Sequence, residues 1–431
     1  MTDSLKVAVC GLGTVGAATL KIIQSFSTKL SQRSGKAIIV IAVSAKNRHK
    51  ERDINLSNYK WFDDPVEMAT DAGADVIVEL IGGARGVALD VARATFKSGK
   101  HLITANKAMV AESGPELLSL AESSGSTFAY EATVAGGIPI VKALREGLVG
   151  NAISNIQGLL NGTCNYILST METSGRCFDD VLAEAQKLGY AESDPSFDID
   201  GIDAAHKLAI LASLAFNTQI NFKAVHTEGI REVLPIDFKY AAELGFKIKL
   251  VGTAGIQEGK LYQWVHPCLL NKKNPMASVD GAYNSVVIEG SAVGTSILTG
   301  KGAGAEPTAS AVIADIVDVA TNRMNFTFGV PLSNLSAIKP IPIEQYLGAF
   351  YVRFEVQDKP GVFAKISAIF GQHNISMESI LQRDHETNGN THVVIVTDEI
   401  GEVFIRAALS NIMTNVNIIG CPSVIRIEKA L

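Results

Sequence analysis

The hexapeptide Gly11-Leu12-Gly13-Thr14-Val15-Gly16 follows the apolar run Val7-Ala8-Val9-Cys10 and leads into an apolar, helically periodic stretch at 17–26. Few folds accept strand, glycine turn and helix in that order. The first glycine permits the tight turn, the second lets the backbone approach a pyrophosphate, and the third lets helix and strand pack closely. The phosphates then meet the helix N-terminus, where unpaired N–H groups and the helix dipole favour anions. Gly11, Leu12, Gly13, Thr14, Val15 and Gly16 are therefore read as dinucleotide-binding positions. Further apolar runs at 37–43, 76–80, 101–104 and 127–130 alternate with helical stretches. That alternation predicts a doubly wound, mostly parallel sheet, a Rossmann-type domain over residues 1–130.

The second predicted strand ends in Val43-Ser44-Ala45-Lys46-Asn47-Arg48-His49-Lys50. An NAD-specific site usually places an acid here to hold the ribose 2′-hydroxyl, whereas a basic end suits the 2′-phosphate of NADP. Ala45, Lys46 and Arg48 are the candidate contacts. The competing reading is a run of solvated loop charges, and NAD stays open as the cofactor.

Past residue 130 the texture becomes α+β, with helical patterns at 138–146, 178–188, 202–216 and 238–249 and β-like runs at 153–160, 261–269 and 283–289. This reads as a substrate-binding and dimerisation domain over 131–302. An apolar helix is expected at 307–321, and Pro331, Pro340 and Pro342 mark a linker over 331–349. The tail, 350–431, gives strand (351–356), helix (362–373), strand (376–383), strand (391–397), helix (403–412) and strand (416–427), a βαββαβ order of the ferredoxin-like kind.

The densest chemistry lies at 188–207, where Glu192, Asp194, Asp198, Asp200 and Asp203 crowd one helix start and Lys207 follows. Asp200 reads as the N-cap, which sets Asp203 and Lys207 four apart on one face, with Glu192 and Asp198 on the preceding loop. A capped helix with one ordinary ion pair, about 0.2–0.5 kcal/mol, is the plain alternative. Against it stands the apolar continuation Leu208-Ala209-Ile210-Leu211, because charges beside a buried helix must be paired or used.

The 431 residues carry a net charge of −6 with no basic stripe, which argues against a nucleic-acid partner. No apolar run approaches the roughly 18 residues that a membrane span requires. The first strand begins almost at the initiator Met, leaving no room for a signal peptide, so a cytoplasmic protein is expected. Five cysteines without metal-like spacing fit reduced thiols, and Cys10 and Cys164 read as small buried residues rather than nucleophiles.

Residues 185–207 also resemble the signature of homoserine dehydrogenases, A-x3-G-aromatic-x2-3-D/N/S-P-x2-D-x-x-G-x-D-x3-K, at every position. Further blocks follow in that family's order: the glycine loop, Thr104-Ala105-Asn106-Lys107, Glu131-Ala132-Thr133-Val134-Ala135-Gly136-Gly137-Ile138-Pro139, Leu160-Asn161-Gly162-Thr163-Cys164-Asn165-Tyr166 and Gly302-Ala303-Gly304-Ala305-Glu306-Pro307-Thr308. The tail, with Asp358-Lys359-Pro360-Gly361-Val362 at its first turn and Asn374-Ile375-Ser376-Met377 opening its second strand, is similar to an ACT domain.

The resemblance implies NAD(P)-dependent interconversion of L-aspartate 4-semialdehyde and L-homoserine, on the way to threonine, methionine and isoleucine. It makes Lys207 the proton donor and acceptor and Lys107 a second catalytic lysine near the nicotinamide. Glu192 and Asp203 become substrate acids, Asp198 an orienter of Lys207, and Tyr190, Thr163 and Gly162 pocket-lining positions. Thr104, Lys107 and Gly302 join the cofactor set, and segment 303–330 returns to complete the cofactor domain. Glu131, Val134, Gly136 and Ile138 match a loop that holds a monovalent cation such as sodium; on the residues alone, a Gly-Gly turn into a helix near Pro139 explains them as well. The ACT-like tail implies an amino-acid effector, with threonine the leading candidate, in a homodimer or homotetramer. A purely oligomerising module remains the alternative.

Two other readings fit less well. An acyl-forming semialdehyde dehydrogenase needs a reactive Cys with a His partner. A non-enzymatic sensor predicts substitutions at Lys107, Lys207 or Asp203, and all three residues stand.

Overall fold

The computed structural model of the protein describes residues 4–323, 326–385 and 389–428. The expected segments 303–330 and 350–431 each extend past these bounds, at 324–325, 386–388 and 429–431.

Six parallel strands form the first sheet: β1 (Ser4–Cys10), β2 (Ala37–Ser44), β3 (Lys60–Phe62), β4 (Val76–Glu79), β5 (His101–Thr104) and β6 (Phe128–Ala129). Their order is β3-β2-β1-β4-β5-β6, so the chain reverses direction across the sheet between β1 and β4. Strands buried on both faces read as continuous apolar runs, which is why β1 and β4 stand out in the sequence. The helix Ala305–Ala320 returns to this sheet and shares a core with the strands and the first helix through Val312, Ile316, Val9 and Leu20.

The second sheet is mixed and larger. Its strands are β7 (Ile153–Leu159), β8 (His226–Thr227), β9 (Phe246–Gln257), β10 (Lys260–Asn271), β11 (Tyr283–Gly290), β12 (Gly294–Lys301), β13 (Leu347–Gln357), β14 (Met377–His385), β15 (Asn390–Thr397), β16 (Ile400–Gly401) and β17 (Ile418–Ile427). The order is β12-β11-β7-β9-β10-β17-β13-β15-β14, with β8 on β10 and β16 on β13. The tail forms its βαββαβ module, and β17 also pairs in parallel with β10, with Cys268 opposite Arg426. The middle domain and the tail therefore share one sheet.

Several expectations are corrected. The helix expected at 238–249 is Pro235–Glu243, and from Phe246 the chain runs as β9. Phe246-Lys247-Ile248-Lys249-Leu250 alternates with period two, the strand signature, and Lys249 is buried where its ammonium meets Asp280 at 2.8 Å and the Val279 carbonyl at 2.8 Å. β12, an edge strand whose residues alternate between exposed and partly buried, lacked an apolar signal. The helix at 138–146 is one turn, Ile140–Lys142, continued by a π-helical turn, Ala143–Gly147.

The proline-rich linker is a packed strap. Gln219 N–H donates to the Ser336 carbonyl, Ile341 N–H to Leu261, and Leu335, Ile341, Ile343 and Tyr346 are buried. Prolines remove donors without preventing extended chain from pairing through neighbouring residues. Among the described residues no helix is long and apolar enough to cross a membrane.

Candidate functional site

The glycine loop lies at the reversal point of the first sheet, where open α/β folds bind ligands. A Cβ on Gly11 would lie 2.5 Å from the Leu80 carbonyl oxygen, and one on Gly16 2.0 Å from the Gly11 oxygen, so both glycines are required by close approach. Gly13 faces open space and caps the helix Thr14–Ser25 without a side-chain partner, leaving that N-terminus free for phosphate. A cleft of about 1050 Å³ opens here, lined by Gly11, Leu12, Gly13, Ala45, Lys46 and Lys50 among others. These residues fit a dinucleotide.

The basic cluster divides in two. Lys46 and Lys50 line the cleft, whereas Arg48 lies over the Trp61 ring, 5.7 Å from its centroid. Arg52, outside the residues expected from the sequence, also lines the cleft: its Nε donates to the Leu12 carbonyl at 3.0 Å and its Nη2 to that of Asn47 at 2.9 Å. It braces the glycine loop against the loop after β2. No motif announces such a residue, because its partners are backbone oxygens distant in sequence.

Thr104 is buried at the end of β5, and its hydroxyl donates to the Glu79 carboxylate at 2.6 Å. Glu79 also accepts from the N–H groups of Ile81 and Gly82, so this pair locks the ends of β4 and β5 below the cleft. Burial raises the pKa of Glu79 against those hydrogen bonds. Gly302 packs against the Asn284 side chain, where a Cβ would leave no room.

The helix Lys107–Ser124 begins at the end of β5, capped by Asn106, whose side chain accepts from Met109 N–H. Its first residue, Lys107, points at the helix Ile202–Phe216. There Asp203 holds two ammoniums at once: Lys107 Nζ is 2.7 Å from Oδ1, and Lys207 Nζ is 2.7 Å from Oδ2. Lys207 also donates to the Leu160 carbonyl at 2.7 Å. Asn161 joins the cluster by donating to Asp203 Oδ2 and Asp198 Oδ1, each at 2.8 Å, while its Oδ1 caps the helix Gly162–Ser174. An Asn before an apolar helical stretch signals a cap, and that is how sequence would have found it.

Among the described residues Asp198 makes no hydrogen bond to either lysine; the Asn161 amide links it to Asp203, and its charge acts on both lysines from there. Asp200 is not the N-cap either: Gly201, at φ +82°, takes that place, and Asp200 pairs with Arg231 Nε at 2.5 Å. A short helix, Ser196–Ile199, ends just before, and the chain turns between two helices through a left-handed conformation natural to glycine.

The two lysines differ electrostatically. Burial pulls the Lys207 ammonium below its usual pKa, and the like charge of Lys107 adds to this against the attraction of Asp203. Burial also acts on Lys107, but there Asp203, Asp198 and Glu192 prevail and its pKa rises. Asp203 is itself desolvated, yet the lysines hold its carboxyl well below the usual range. Asp198 is pushed up by burial and by the neighbouring Asp203 charge.

Around this core, Thr163 Oγ1 donates to the Tyr190 carbonyl at 2.7 Å, and the Tyr190 ring lies tilted against Tyr166, with ring centroids 4.6 Å apart. Gly162 lies where a Cβ would approach the Ala282 carbonyl to 2.8 Å. Glu192 is exposed on its loop, within electrostatic reach of Lys107. Cys164 is buried, its thiol pushed up by burial and donating to the Asp198 carbonyl at 3.1 Å, as suits a packing residue.

The Glu131 to Ile138 loop is tightly wound. Ala135 takes φ +49°, and Gly136 would clash with Thr308 if it carried a Cβ. The Glu131 carboxylate accepts from Val141 and Lys142 N–H, capping the helix at Ile140–Lys142, and the Ile138 carbonyl accepts from Ile140 N–H. Burial and the nearby Asp315 raise Glu131 to about 8, and burial raises Asp315 to about 6.

Comparison with known proteins converges on one family. The homoserine dehydrogenase family profile matches residues 139–317, that of the homoserine dehydrogenase NAD-binding domain residues 11–131, and that of the ACT domain residues 350–404. A homoserine dehydrogenase of Pseudomonas aeruginosa is 40% identical, over 99% of either chain. The crystal structure of a homoserine dehydrogenase from Thiobacillus denitrificans is similar over 100% of this chain and 99% of its own, with a TM-score of 0.94 and 39% identity. A hyperthermophilic archaeal homoserine dehydrogenase mutant in complex with NADPH is similar over 75% of this chain and 99% of its own, with a TM-score of 0.64 and 28% identity.

Proposed function

The chain belongs to the homoserine dehydrogenase family and is an oxidoreductase, and from that premise we propose which residues perform the reaction and how it is regulated. The observation that carries the assignment is the Lys107–Asp203–Lys207 bridge, formed where the cofactor domain's helix meets the catalytic helix.

The nicotinamide, when bound, supplies a hydride to the aldehyde carbon of L-aspartate 4-semialdehyde or takes one from homoserine. As the aldehyde is reduced, negative charge grows on its oxygen and a proton must reach it. Lys207, with its lowered pKa, gives up and regains a proton more readily than an ordinary lysine. Lys107, with its raised pKa at a helix N-terminus, stays an ammonium and stabilises the developing charge. Asp203 aligns both, Asn161 holds Asp203, Asp198 holds Asn161 and through it helps orient Lys207, and Glu192 on the exposed loop, with Asp203, receives the substrate's ammonium or hydroxyl. Tyr190, Thr163 and Gly162 shape that loop's attachment to the helix behind it.

The preferred cofactor is NADP(H), with the glycine loop on the pyrophosphate and Lys46 and Lys50 on the 2′-phosphate. The structural relative bound to NADPH supports this reading. The Glu131–Ile138 loop takes a monovalent cation at Glu131, Val134, Gly136 and Ile138, largely through backbone carbonyls, its function being to fix the junction with helix Ala305–Ala320. The tail binds an amino acid, threonine first among candidates, and couples it to turnover in a homodimeric or homotetrameric, cytoplasmic enzyme of threonine, methionine and isoleucine synthesis. Such coupling requires the effector to bind one arrangement better than another.

Loss of NADPH absorbance with L-aspartate 4-semialdehyde tests the core of this reading. Lys207→Ala is expected to lower kcat by about 10²–10⁴-fold with NADPH affinity unchanged. Retention of a tenth of the wild-type turnover would refute the proton-transfer role.

A further inference from the structure

Where the tail joins the catalytic sheet, three side chains of metal-binding type converge. His266 and Cys268 stand two apart on β10 and share a face, and Glu428 follows β17 immediately. The parallel pairing of Cys268 with Arg426, continued by Glu428 N–H donating to the Leu269 carbonyl, brings the Glu428 carboxylate alongside. One ligand atom from each residue lies within 4.8 Å of the others. The closest separations are 3.0 Å from Cys268 Sγ to His266 Nδ1 and 3.7 Å from Cys268 Sγ to Glu428 Oε1. Tetrahedral zinc, with Zn–S of about 2.3 Å and Zn–N or Zn–O of about 2.0–2.2 Å, sets its ligand atoms roughly 3.3–3.7 Å apart.

A second observation points the same way. Gln157, 5% exposed on β7, donates its Nε2 to Glu428 Oε2 at 3.2 Å and leaves its Oε1 buried with no hydrogen-bond partner. A buried polar atom without a partner is uncommon and costly, and this one belongs to a side chain that touches the cluster through Glu428. The catalytic lysines, the glycine loop and the cation loop use none of these residues.

We propose that His266, Cys268 and Glu428 bind a divalent transition ion, zinc by ligand preference, which fastens the end of the tail to the catalytic sheet. An imidazole, a thiolate and a carboxylate suit zinc, and hard ions such as magnesium do not take thiolate. Binding releases one proton from the Cys268 thiol to solvent, and the charges of the ion, the thiolate and the carboxylate then sum to zero, which lets the cluster stay buried. Glu428, only half-buried, gives the ion its way in. Two residues before it, Arg426 pairs with Glu228 at 2.8 Å, and Glu228 lies on the segment beside the catalytic loop, where Ile230 N–H donates to the Ile199 carbonyl. The ion thus holds the strand through which tail and catalytic loop are connected.

The test uses full-length reduced protein, stripped with a chelator and titrated with cobalt(II) as an optical stand-in for zinc. The expected result is a thiolate-to-cobalt charge-transfer band that saturates at one equivalent and disappears on adding zinc, with zinc raising the melting temperature. Cys268→Ser removes the band. Glu428→Gln, a change at the edge of the fold that leaves the protein folded, weakens cobalt affinity at least by the about 10–100-fold typical of supporting groups around metals. Absence of the band, its persistence in Cys268→Ser (which would assign it to exposed Cys177 or Cys421), or unchanged affinity in Glu428→Gln overturns the proposal.

Discussion

Replacing Asp203 by Asn removes one carboxylate that faces two ammoniums, each at 2.7 Å, and keeps its shape. At an effective dielectric of about 20, each contact is worth about 6 kcal/mol of gross attraction, most of it spent on desolvation. The pair with Lys107, whose side chain is one-third exposed, is further discounted by solvent. Lys207 sets the net cost, because its side chain is nearly buried and would be left charged with neutral acceptors such as the Leu160 carbonyl in place of its ion-pair partner. It has one escape, which is to lose its proton. Starting from an unfolded-state pKa of about 10.4, remaining neutral at pH 7 costs about 1.4 kcal/mol per unit, or about 5 kcal/mol. That ceiling agrees with the about 3–5 kcal/mol typical of breaking a buried pair.

The sign with pH follows from proton counting. In the variant the folded state binds one proton fewer than the unfolded state, so its stability rises with pH by about 1.4 kcal/mol per unit up to about pH 10. The deficit against wild type should therefore shrink from about 5 kcal/mol at pH 7 to about 2 kcal/mol at pH 9. Urea denaturation of both proteins at the two pH values measures it. A deficit under about 1 kcal/mol, or one that does not change with pH, would mean that Asp203 does not hold Lys207 charged in the folded protein.

Three further outcomes follow from the same geometry. Because the Lys207 pKa lies below its usual value, semialdehyde reduction, which needs the ammonium, should fall as pH rises through it, while homoserine oxidation, which needs the amine, should rise; parallel pH–kcat profiles in both directions check this. Lys46→Ala should raise KM for NADPH but not for NADH, whereas Arg48→Ala, removing a residue seated on Trp61, should leave their ratio unchanged within about twofold; steady-state kinetics with both cofactors decides it. Arg353→Met strips the buried Asp237 of the guanidinium 2.7 Å away and leaves it, among the described residues, neutral donors such as Tyr351, so a loss of about 3–5 kcal/mol is expected, read by chemical denaturation. For the same reason, deleting the tail exposes Asp237 and the edge of β10, and the tail is no detachable appendage.

Local chemistry made much of this protein legible. Strand, glycine turn and helix follow one another within about twenty residues, and the close approaches at Gly11 and Gly16 leave no other side chain room. The helix Ile202–Phe216, with Asp203 and Lys207 one turn apart on it, follows from 3.6-residue periodicity alone. The two lysines of β9 resemble the last turn of a helix, and only the sheet shows that Lys249 is buried against Asp280. Contacts that join distant segments had no local signal. Asp203 was visible as the partner of Lys207, but that it also holds Lys107, about a hundred residues earlier, depends on how two domains meet. The same packing turned Arg48 onto Trp61, brought Arg52 to the glycine loop and set Glu428 beside His266 and Cys268. Periodicity and turn chemistry act over a few residues and are written in the sequence, whereas the charge state of each lysine depends on desolvation and on neighbours that only the folded chain brings within about 3 Å.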